Sequence, residues 1–493
     1  MSSNVIIIGS GIAGLAASVR LAVAGYSVTV FESNDYPGGK LTVLEKDGFR
    51  FDAGPSLFTQ PDYIADLFSL AGVDMAAFFS YEKLEVICHY FFENGKRINT
   101  CADPDQLASA FARDLGEDPE AIKTYLHRMR RLYDDVGSIF LDHSLRDPDT
   151  WFHKRILRAL RTVRWPYLTQ TLHQYNQQRF KAPETVQLFN RFATYNGSNP
   201  YQAPAMLSLI PHLEQNIGTF YPKGGMISIT NAVYRLALHC GVNIQFNSPV
   251  EEILTAGKTV KGIRSKGVDY LADIVLSNAD VYHTYDKLLR QHPRSKALKN
   301  MERSSSALIF YWGMNRTYPN LGLHNIFFSN DYPGEFAAMF KQKTMGNDPT
   351  VYINITSKME KGHAPPDSEN WFVMINAPEN NGQDWETLTA QTKVRIIEKL
   401  ERMMGLPVQQ HIISEMVLDP VRIEQRTGTY KGSLYGTSSN SRWAAFLRPS
   451  NEMTAYQGLY FCGGTVHPGG GIPLCLKSAE IAANIIQKRH VIK

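Results

Sequence analysis

An α/β fold is predicted by three features that follow one another at the start of the chain: an apolar run at residues 4–8, a glycine turn directly after it, and a second β-rich run at residues 27–31. Residues 4–8 (Asn-Val-Ile-Ile-Ile) are too few for a helix and lack polar alternation, so they read as a parallel strand buried on both faces. A helix should open inside the glycine turn and run to about residue 24, where Gly25 stops it. Residues 27–31 (Ser-Val-Thr-Val-Phe) supply the second strand, which completes a β-α-β unit within the first 32 residues.

Residues 242–246, 249–253 and 274–278 read as strands that rejoin this sheet, whereas residues 105–215 carry helical periodicity. Residues 306–314, 350–355 and 371–375 read as strands of a second sheet. The expected organisation is discontinuous. A Rossmann-type cofactor domain spans 1–75, 220–290 and 455–493, a β-sheet substrate domain spans 76–104 and 291–454, and a helical, membrane-facing lobe spans 105–219.

Composition narrows the function. With 493 residues the chain can bury a cofactor between lobes, and 43% apolar against 20% charged residues is a globular balance. A net charge of +4, with no zinc-spaced Cys/His set, gives no case for nucleic acid or a structural metal. Five scattered cysteines without a C-x-x-C pair fit a reducing compartment. Neither a signal peptide nor a membrane span is expected, because no apolar stretch approaches twenty residues.

Gly9-Ser10-Gly11-Ile12-Ala13-Gly14 is G-x-G-x-x-G between strand and helix, and Glu32 closes the next strand. Gly9 permits the tight turn, Gly11 lets backbone N–H groups approach a pyrophosphate, and Gly14 lets helix and strand pack closely. Glu32 suits ribose hydroxyls and repels a 2′-phosphate, which leaves FAD or NAD. Two further clusters favour FAD. Pro37-Gly38-Gly39-Lys40 extends the site past Glu32. Gly463-Gly464-Thr465 and His467-Pro468-Gly469-Gly470-Gly471-Ile472-Pro473 precede an amphipathic helix at residues 474–488, whose N-terminus suits the negative edge of a reduced flavin ring. No second G-x-G-x-x-G exists to bind NAD(P)H, so electrons must leave to an external acceptor such as oxygen or a quinone.

Together with Gly48-Phe49-Arg50-Phe51-Asp52-Ala53-Gly54-Pro55-Ser56, Tyr221-Pro222-Lys223-Gly224-Gly225-Met226 and Ser277-Asn278-Ala279-Asp280, these motifs resemble the bacterial phytoene desaturase family of carotenoid desaturases over nearly the whole chain. The wording around residues 34–42 and 52–59 resembles the 1-hydroxycarotenoid 3,4-desaturase branch; phytoene desaturases commonly carry Arg where Lys40 stands, which costs a planar fork. The resemblance implies an FAD fold of the amine oxidase type. The implied FAD contacts are Gly9, Ser10, Gly11, Ile12, Ala13, Gly14, Glu32, Ser33, Gly38, Gly39, Lys40, Gly54, Pro55, Ser56, Val250, Gly463, Gly464, Gly471, Ile472 and Pro473. Acidic and basic residues proposed as catalytic in relatives have no clear counterpart at residues 146–164.

Desaturation next to a polyene needs no strong base, because hydride loss to the flavin leaves a cation spread along the double bonds. A tertiary hydroxyl on the substrate would be fixed by a polar side chain; His467, Asn196, Tyr195 and Thr465 are the candidates, and His467 is the one catalytic candidate. A substrate of about forty carbons gains on the order of 30 kcal/mol by partitioning out of water, so it must be drawn from a bilayer. Residues 151–181 hold seven Lys/Arg, no acid and several aromatics, which suits a membrane surface and a peripheral location on the cytoplasmic face. A phytoene desaturase, an amine oxidase, a carotenoid isomerase and a prenyl-binding escort protein are the rival readings.

Overall fold

Val5, Ile6, Ile7 and Ile8 are all buried, which accounts for the absence of polar alternation in that run. In the computed structural model, which describes residues 3–137, 155–441 and 448–490, they sit at the centre of a five-stranded parallel sheet. Its order is Leu459–Phe461, Ile274–Ser277, Asn4–Ile8, Ser27–Phe31, Asn243–Gln245. Val5 and Ile7 face a helical layer, where they meet Leu15 and Val19 of the helix Ile12–Val23, Ile229 and Val233 of Ile227–His239, and Leu476 and Ala483 of Ile472–Arg489. Ile6 and Ile8 face the other way onto Ile253 and Ile263. At about 1.5–3 kcal/mol for each fully buried aliphatic side chain, this two-sided burial is what holds the central strand.

The layer on that second face corrects one expectation. Residues 249–253 do not rejoin the parallel sheet. They begin Val250–Ala256, which pairs antiparallel with Thr259–Ser265, itself paired with Val268–Leu271. The run is exposed or half-buried, with Ile253 alone buried against the sheet. Residues 242–246 and 274–278 do join the parallel sheet, through Asn243–Gln245 and Ile274–Ser277.

A second sheet has seven strands in the order Ile412–Leu418, Ser306–Met314, Glu369–Ala377, Val351–Ile355, His324–Phe327, Cys88–Phe91, Arg97–Thr100. Ser306–Met314 is buried throughout and alternates between two cores. Leu308, Phe310 and Trp312 pack with Ile396 and Leu400 of the helix Trp385–Met404, whereas Ile309 and Tyr311 pack with Phe49 and Phe51. Every described element between Pro104 and Ile217 is helical. This lobe shares an apolar cluster with the sheet edge, in which Phe111, Tyr125 and Phe189 meet Tyr90, Ile326 and Phe328.

Two charged groups buried between these layers, Lys399 and Glu335, are well partnered. The Lys399 ammonium donates to the carbonyls of Phe328 (3.0 Å) and Pro349 (2.8 Å) and meets Asp348 at 2.6 Å, tying the long helix to the sheet. Glu335 accepts from the Thr350 amide (3.1 Å) and hydroxyl (2.7 Å). Burial pushes its carboxyl up to about 7, against the pull of those hydrogen bonds and of Lys399. Because the folded value lies above the unfolded one, Glu335 favours the native state at low pH and loses that contribution as pH rises through about 7. Glu335→Gln should therefore flatten the loss of stability between acid and neutral pH by up to about 3 kcal/mol. Urea unfolding of both proteins across that range measures it, and parallel curves would refute the assignment.

Candidate functional site

The site forms at the C-terminal ends of the parallel strands, where the order reverses on either side of Asn4–Ile8. Gly9 leaves that strand at φ +92° and donates its N–H to the Phe31 carbonyl at 2.8 Å. A Cβ on Gly14 would lie 2.1 Å from the Gly9 carbonyl oxygen, so only glycine lets the helix start this close to the strand. Gly11 is the N-cap of the helix Ile12–Val23 and no side chain caps it, so the first-turn amides at Ile12, Ala13 and Gly14 face outward for an anion. Glu32 is buried beside the turn. Its carboxylate accepts from the Ser10 amide and hydroxyl (both 2.7 Å), the Asn34 amide (2.9 Å) and the Ser33 hydroxyl (3.2 Å). The Ser248 amide donates to the Glu32 carbonyl at 2.7 Å, which sets Val250 close to this end.

Pro37-Gly38-Gly39-Lys40 folds back onto the same turn. Gly38 donates to the Ser10 carbonyl at 2.9 Å and bridges to Gly11, and Gly39 lies against the Gly11 Cα. The Lys40 ammonium is part-buried and donates to the Leu434 carbonyl at 2.8 Å. Burial lowers its affinity for the proton, opposed by Cys475 and Asp280. A Cβ on Gly54 would stand 1.8 Å from the Lys40 carbonyl oxygen, which brings Pro55 and Ser56 alongside. Asp52 anchors this strand by accepting from the Met226 amide at 3.1 Å, at the start of the helix Ile227–His239, and by pairing with Arg50 at 3.1 Å.

The third cluster arrives from the far end of the chain. Gly463 donates to Ser478 Oγ at 3.0 Å, and Gly464 packs on the Gly470 Cα. Gly471, at φ +107° and open on its Cβ side, is the uncapped N-cap of Ile472–Arg489, with Ile472 buried and Pro473 in the first turn. Asn278 joins the first and third clusters: Cβ atoms built on Gly11 and Gly463 would lie 2.7 and 2.6 Å from its amide group. It was quoted in a motif without a role, and its place between two glycine turns follows only from the pairing of its strand with Asn4–Ile8.

Arg448 carried no sequence signal. It is buried, donates through Nη1 to the carbonyls of Tyr435 (2.8 Å) and Gly464 (3.3 Å), and its Nη2 has no partner among the described residues. Burial brings the guanidinium down to about 10, partly offset by Cys475. Two cations, the part-buried Lys40 and the buried Arg448, thus flank an open helix N-terminus, and among the described residues no carboxylate lies within ion-pair distance of either.

Two of the sequence candidates for a hydroxyl anchor, Tyr195 and Thr465, have side-chain partners. Tyr195 donates to Glu214, which also holds Arg191 at 2.9 Å; Thr465 accepts from the Val281 amide at 3.1 Å. The His467 backbone lies in a cis bond to Pro468, and its carbonyl accepts from Asn451 (2.9 Å) and Ser478 (2.8 Å). Asn196 ends a 3-10 turn at Gly197. A different polar line adjoins Ser56: its hydroxyl bonds Tyr352 OH at 2.9 Å, which bonds His324 Nδ1 at 2.7 Å. Burial lowers His324 to about 3, so the line is uncharged at neutral pH.

These features fit FAD: two uncapped helix starts converge across side-chain-free backbone, a carboxylate lies at one end, and an unpartnered buried guanidinium lies at the other. Gly14→Ala should displace the turn and strip FAD from the purified protein, read as lost flavin absorbance with the circular dichroism retained. Arg448→Met should weaken FAD retention by about tenfold or more, the worth of one charge-assisted hydrogen bond.

Residues 12–487 match the flavin containing amine oxidoreductase family. The chain is 46% identical over 481 residues to 1-hydroxycarotenoid 3,4-desaturase of Flavobacterium sp. (strain P99-3), covering 98% of each chain. It is 33% identical to 4,4'-diapolycopene oxygenase of Methylomonas sp, covering 99% of each. Among solved structures, an oxidoreductase from Methanosarcina mazei superposes with a TM-score of 0.64 at 15% identity, over 98% of this chain and 100% of that one. A variant of putrescine oxidase gives 0.63 at 17% identity, over 99% and 100%. At those identities the structures speak for the fold alone. The glycine cradle and the full-length relationships agree: the chain is an FAD-dependent oxidoreductase of the flavin containing amine oxidoreductase family, within its carotenoid desaturase group.

Proposed function

We propose that this chain is a carotenoid desaturase that forms a carbon–carbon double bond at the 3,4-position of a 1-hydroxycarotenoid. The observation that carries the reading is the 46% identity, over 98% of both chains, to a desaturase of that name; the oxygenase of Methylomonas sp stands at 33%. Gly9 to Gly14, Glu32 and Ser33 would hold the adenosine and pyrophosphate end of FAD, with Val250 beside them. Gly38, Gly39, Lys40, Gly54, Pro55, Ser56, Gly463, Gly464, Gly471, Ile472 and Pro473 would line the remainder.

FAD, when bound, supplies the hydride acceptor that removal of hydrogen from a saturated carbon pair requires. The chain's part is to bind, orient and dry the site. Lys40 and Arg448 favour negative charge beside the helix start at Gly471. The Ser56, Tyr352 and His324 line offers an uncharged donor and acceptor to a tertiary hydroxyl, which fixes which carbons meet the cofactor. The second hydrogen would leave as a proton, to water or another weak acceptor, from a carbon acidified by the adjoining cation, so no strong base is called for. Oxygen or a quinone would take the electrons onward. The substrate would be reached from the cytoplasmic face of a membrane; among the described residues no helix is long and apolar enough to cross one.

FAD-loaded protein, mixed anaerobically in liposomes with a 1-hydroxylated acyclic carotenoid, should bleach the flavin and yield a product two hydrogens lighter. Phytoene turned over in its place would move the reading to phytoene desaturation, and a product that gains an oxygen atom when the same reaction is run in air would move it to an oxygenase. Tyr352→Phe should cut the preference for the hydroxylated substrate over its unhydroxylated counterpart by about tenfold, the worth of one buried hydrogen bond. Unchanged selectivity would remove the polar line from substrate recognition.

A further inference from the structure

The helical lobe contains a cleft of about 420 Å³ remote in sequence from every glycine cluster, lined by Lys123, Arg128, Arg131, Arg161, Arg164 and Arg179. The lining combines the helix Pro119–Leu132 with Arg161 of Arg155–Thr162, with Arg164 at the start of Trp165–Thr169, and with Arg179. Two of the six cations are engaged: Lys123 meets Asp105 at 2.6 Å, and Arg179 stacks on the Tyr175 ring at 3.3 Å. Arg128, Arg131, Arg161 and Arg164 have no carboxylate within ion-pair distance among the described residues. Two nearby acids are already engaged, Asp134 by Arg130 and Asp135 by Arg158 and by the hydroxyl of Thr162 on the cleft wall. Among the described residues, no carboxylate is part of the cleft lining. Four like charges gathered around a concavity repel one another, and an anion with several oxygens relieves that repulsion while satisfying guanidinium donors in pairs.

A second, independent observation says which anion. Trp165 follows Arg164 directly and is 75% exposed; Leu168, one turn on, is 37% exposed. A soluble phosphate gives no reason to present indole and isobutyl groups to water at the rim of its site. A bilayer does, because Trp gains at the interface while cations just beside it reach headgroups. Tyr167 and Tyr175, also in the cleft wall, belong to the apolar cluster that includes Tyr90 and Phe328 of the seven-stranded sheet edge.

We propose that this cleft binds the phosphate headgroup of an anionic membrane lipid, with Trp165 and Leu168 inserted beside it. Of the basic aromatic stretch at residues 151–181, residues 151–154 lie outside the described part of the structure; the site instead recruits Lys123, Arg128 and Arg131 from an earlier helix. The site stands apart from the cofactor cradle, and only its value for substrate uptake rests on the desaturase reading.

The test uses the full-length FAD-loaded protein and flotation with phosphatidylcholine vesicles, with and without phosphatidylglycerol. The wild type should float with the phosphatidylglycerol vesicles alone. Arg131→Gln with Arg164→Gln should weaken flotation by about a hundredfold, roughly tenfold for each lost charge-assisted contact. The neighbouring pair Arg130→Gln with Arg158→Gln, which removes the same charge outside the cleft, should lose at least about tenfold less than that, near what diffuse surface charge is worth. Trp165→Ala should weaken flotation while leaving the binding of inorganic phosphate unchanged. Equal losses in the two arginine pairs would reduce the cleft to diffuse charge and overturn the proposal. Inorganic phosphate bound in the cleft, with flotation untouched by the Arg131 and Arg164 changes, would make it a soluble-anion site and overturn it as well. Flavin absorbance in every variant confirms the fold, and flotation without polyene turnover would sink the desaturase reading while leaving this one standing.

Discussion

The architecture depends on how closely three stretches of bare backbone approach one another around Asn278. Side chains at Gly11, Gly14 or Gly463 would collide with the Asn278 amide or with the Gly9 carbonyl, each at under 3 Å for a Cβ at its nearest atom. Removing those side chains brings two helix N-termini to the same sheet edge without caps of their own. Open amides and the positive ends of two helix dipoles are then directed at one ligand, and burial strengthens both effects. Lys40 and Arg448 add formal charge to that dipolar field, near the helix that begins at Ile472.

The sheet that supports the cradle is assembled from widely separated segments. Strand Asn4–Ile8 pairs with Ile274–Ser277, which in turn pairs with Leu459–Phe461. The chain between those segments is free to build something else, and it builds the seven-stranded sheet and the helical lobe. Two devices keep the excursion in register with the cofactor domain. Asp52 holds the start of the helix at Ile227 through the Met226 amide, and Ser56 reaches across to Tyr352 on the second sheet. A substrate lying between the layers would be located by the same bonds that locate the cofactor, which is how a reaction at one carbon pair along a uniform polyene can be selective.

Local requirements were legible in the sequence, and pairings between distant segments were not. The turn at Gly9 to Gly14 is written in residue types because its backbone conformation and contacts tolerate no others. The helix from Ile472 likewise declared itself through the glycines and proline at its start. Strand Cys88–Phe91 gave no comparable signal: it is four residues long and gains its place by pairing parallel to Asn325, Ile326 and Phe327. Residues 249–253 looked like their neighbours in composition, and only the antiparallel partner Thr259–Ser265 places them on a different sheet. Arg448 is a lone arginine whose importance comes from burial against Gly464 and Tyr435, which no local pattern encodes. Two of the hydroxyl candidates are also held by their own fold, which residue type alone does not announce: Tyr195 donates to Glu214, and Thr465 accepts from the Val281 amide.

The disposition of the buried acids bears on how such a site could work. Glu214 is committed to Arg191 and Tyr195, Asp52 to Arg50 and the Met226 amide, Glu369 to Lys358 and the Trp371 indole, and Asp280 to the amides of Tyr282 and Tyr430. Each has its lone pairs occupied by structural donors, and Glu32 at the cradle is held by Ser10 and Asn34. Turning any of these carboxylates toward a substrate would break the bonds that position it. Abstraction of a proton from an unactivated hydrocarbon would demand a base far stronger than any carboxylate in any case. The chain instead places two cations without a carboxylate partner among the described residues, Lys40 and Arg448, beside one helix start, where they favour electrons arriving on the ring. That allocation suits chemistry begun by hydride loss, and it makes placement of the polyene, rather than proton transfer, the quantity the protein has to control.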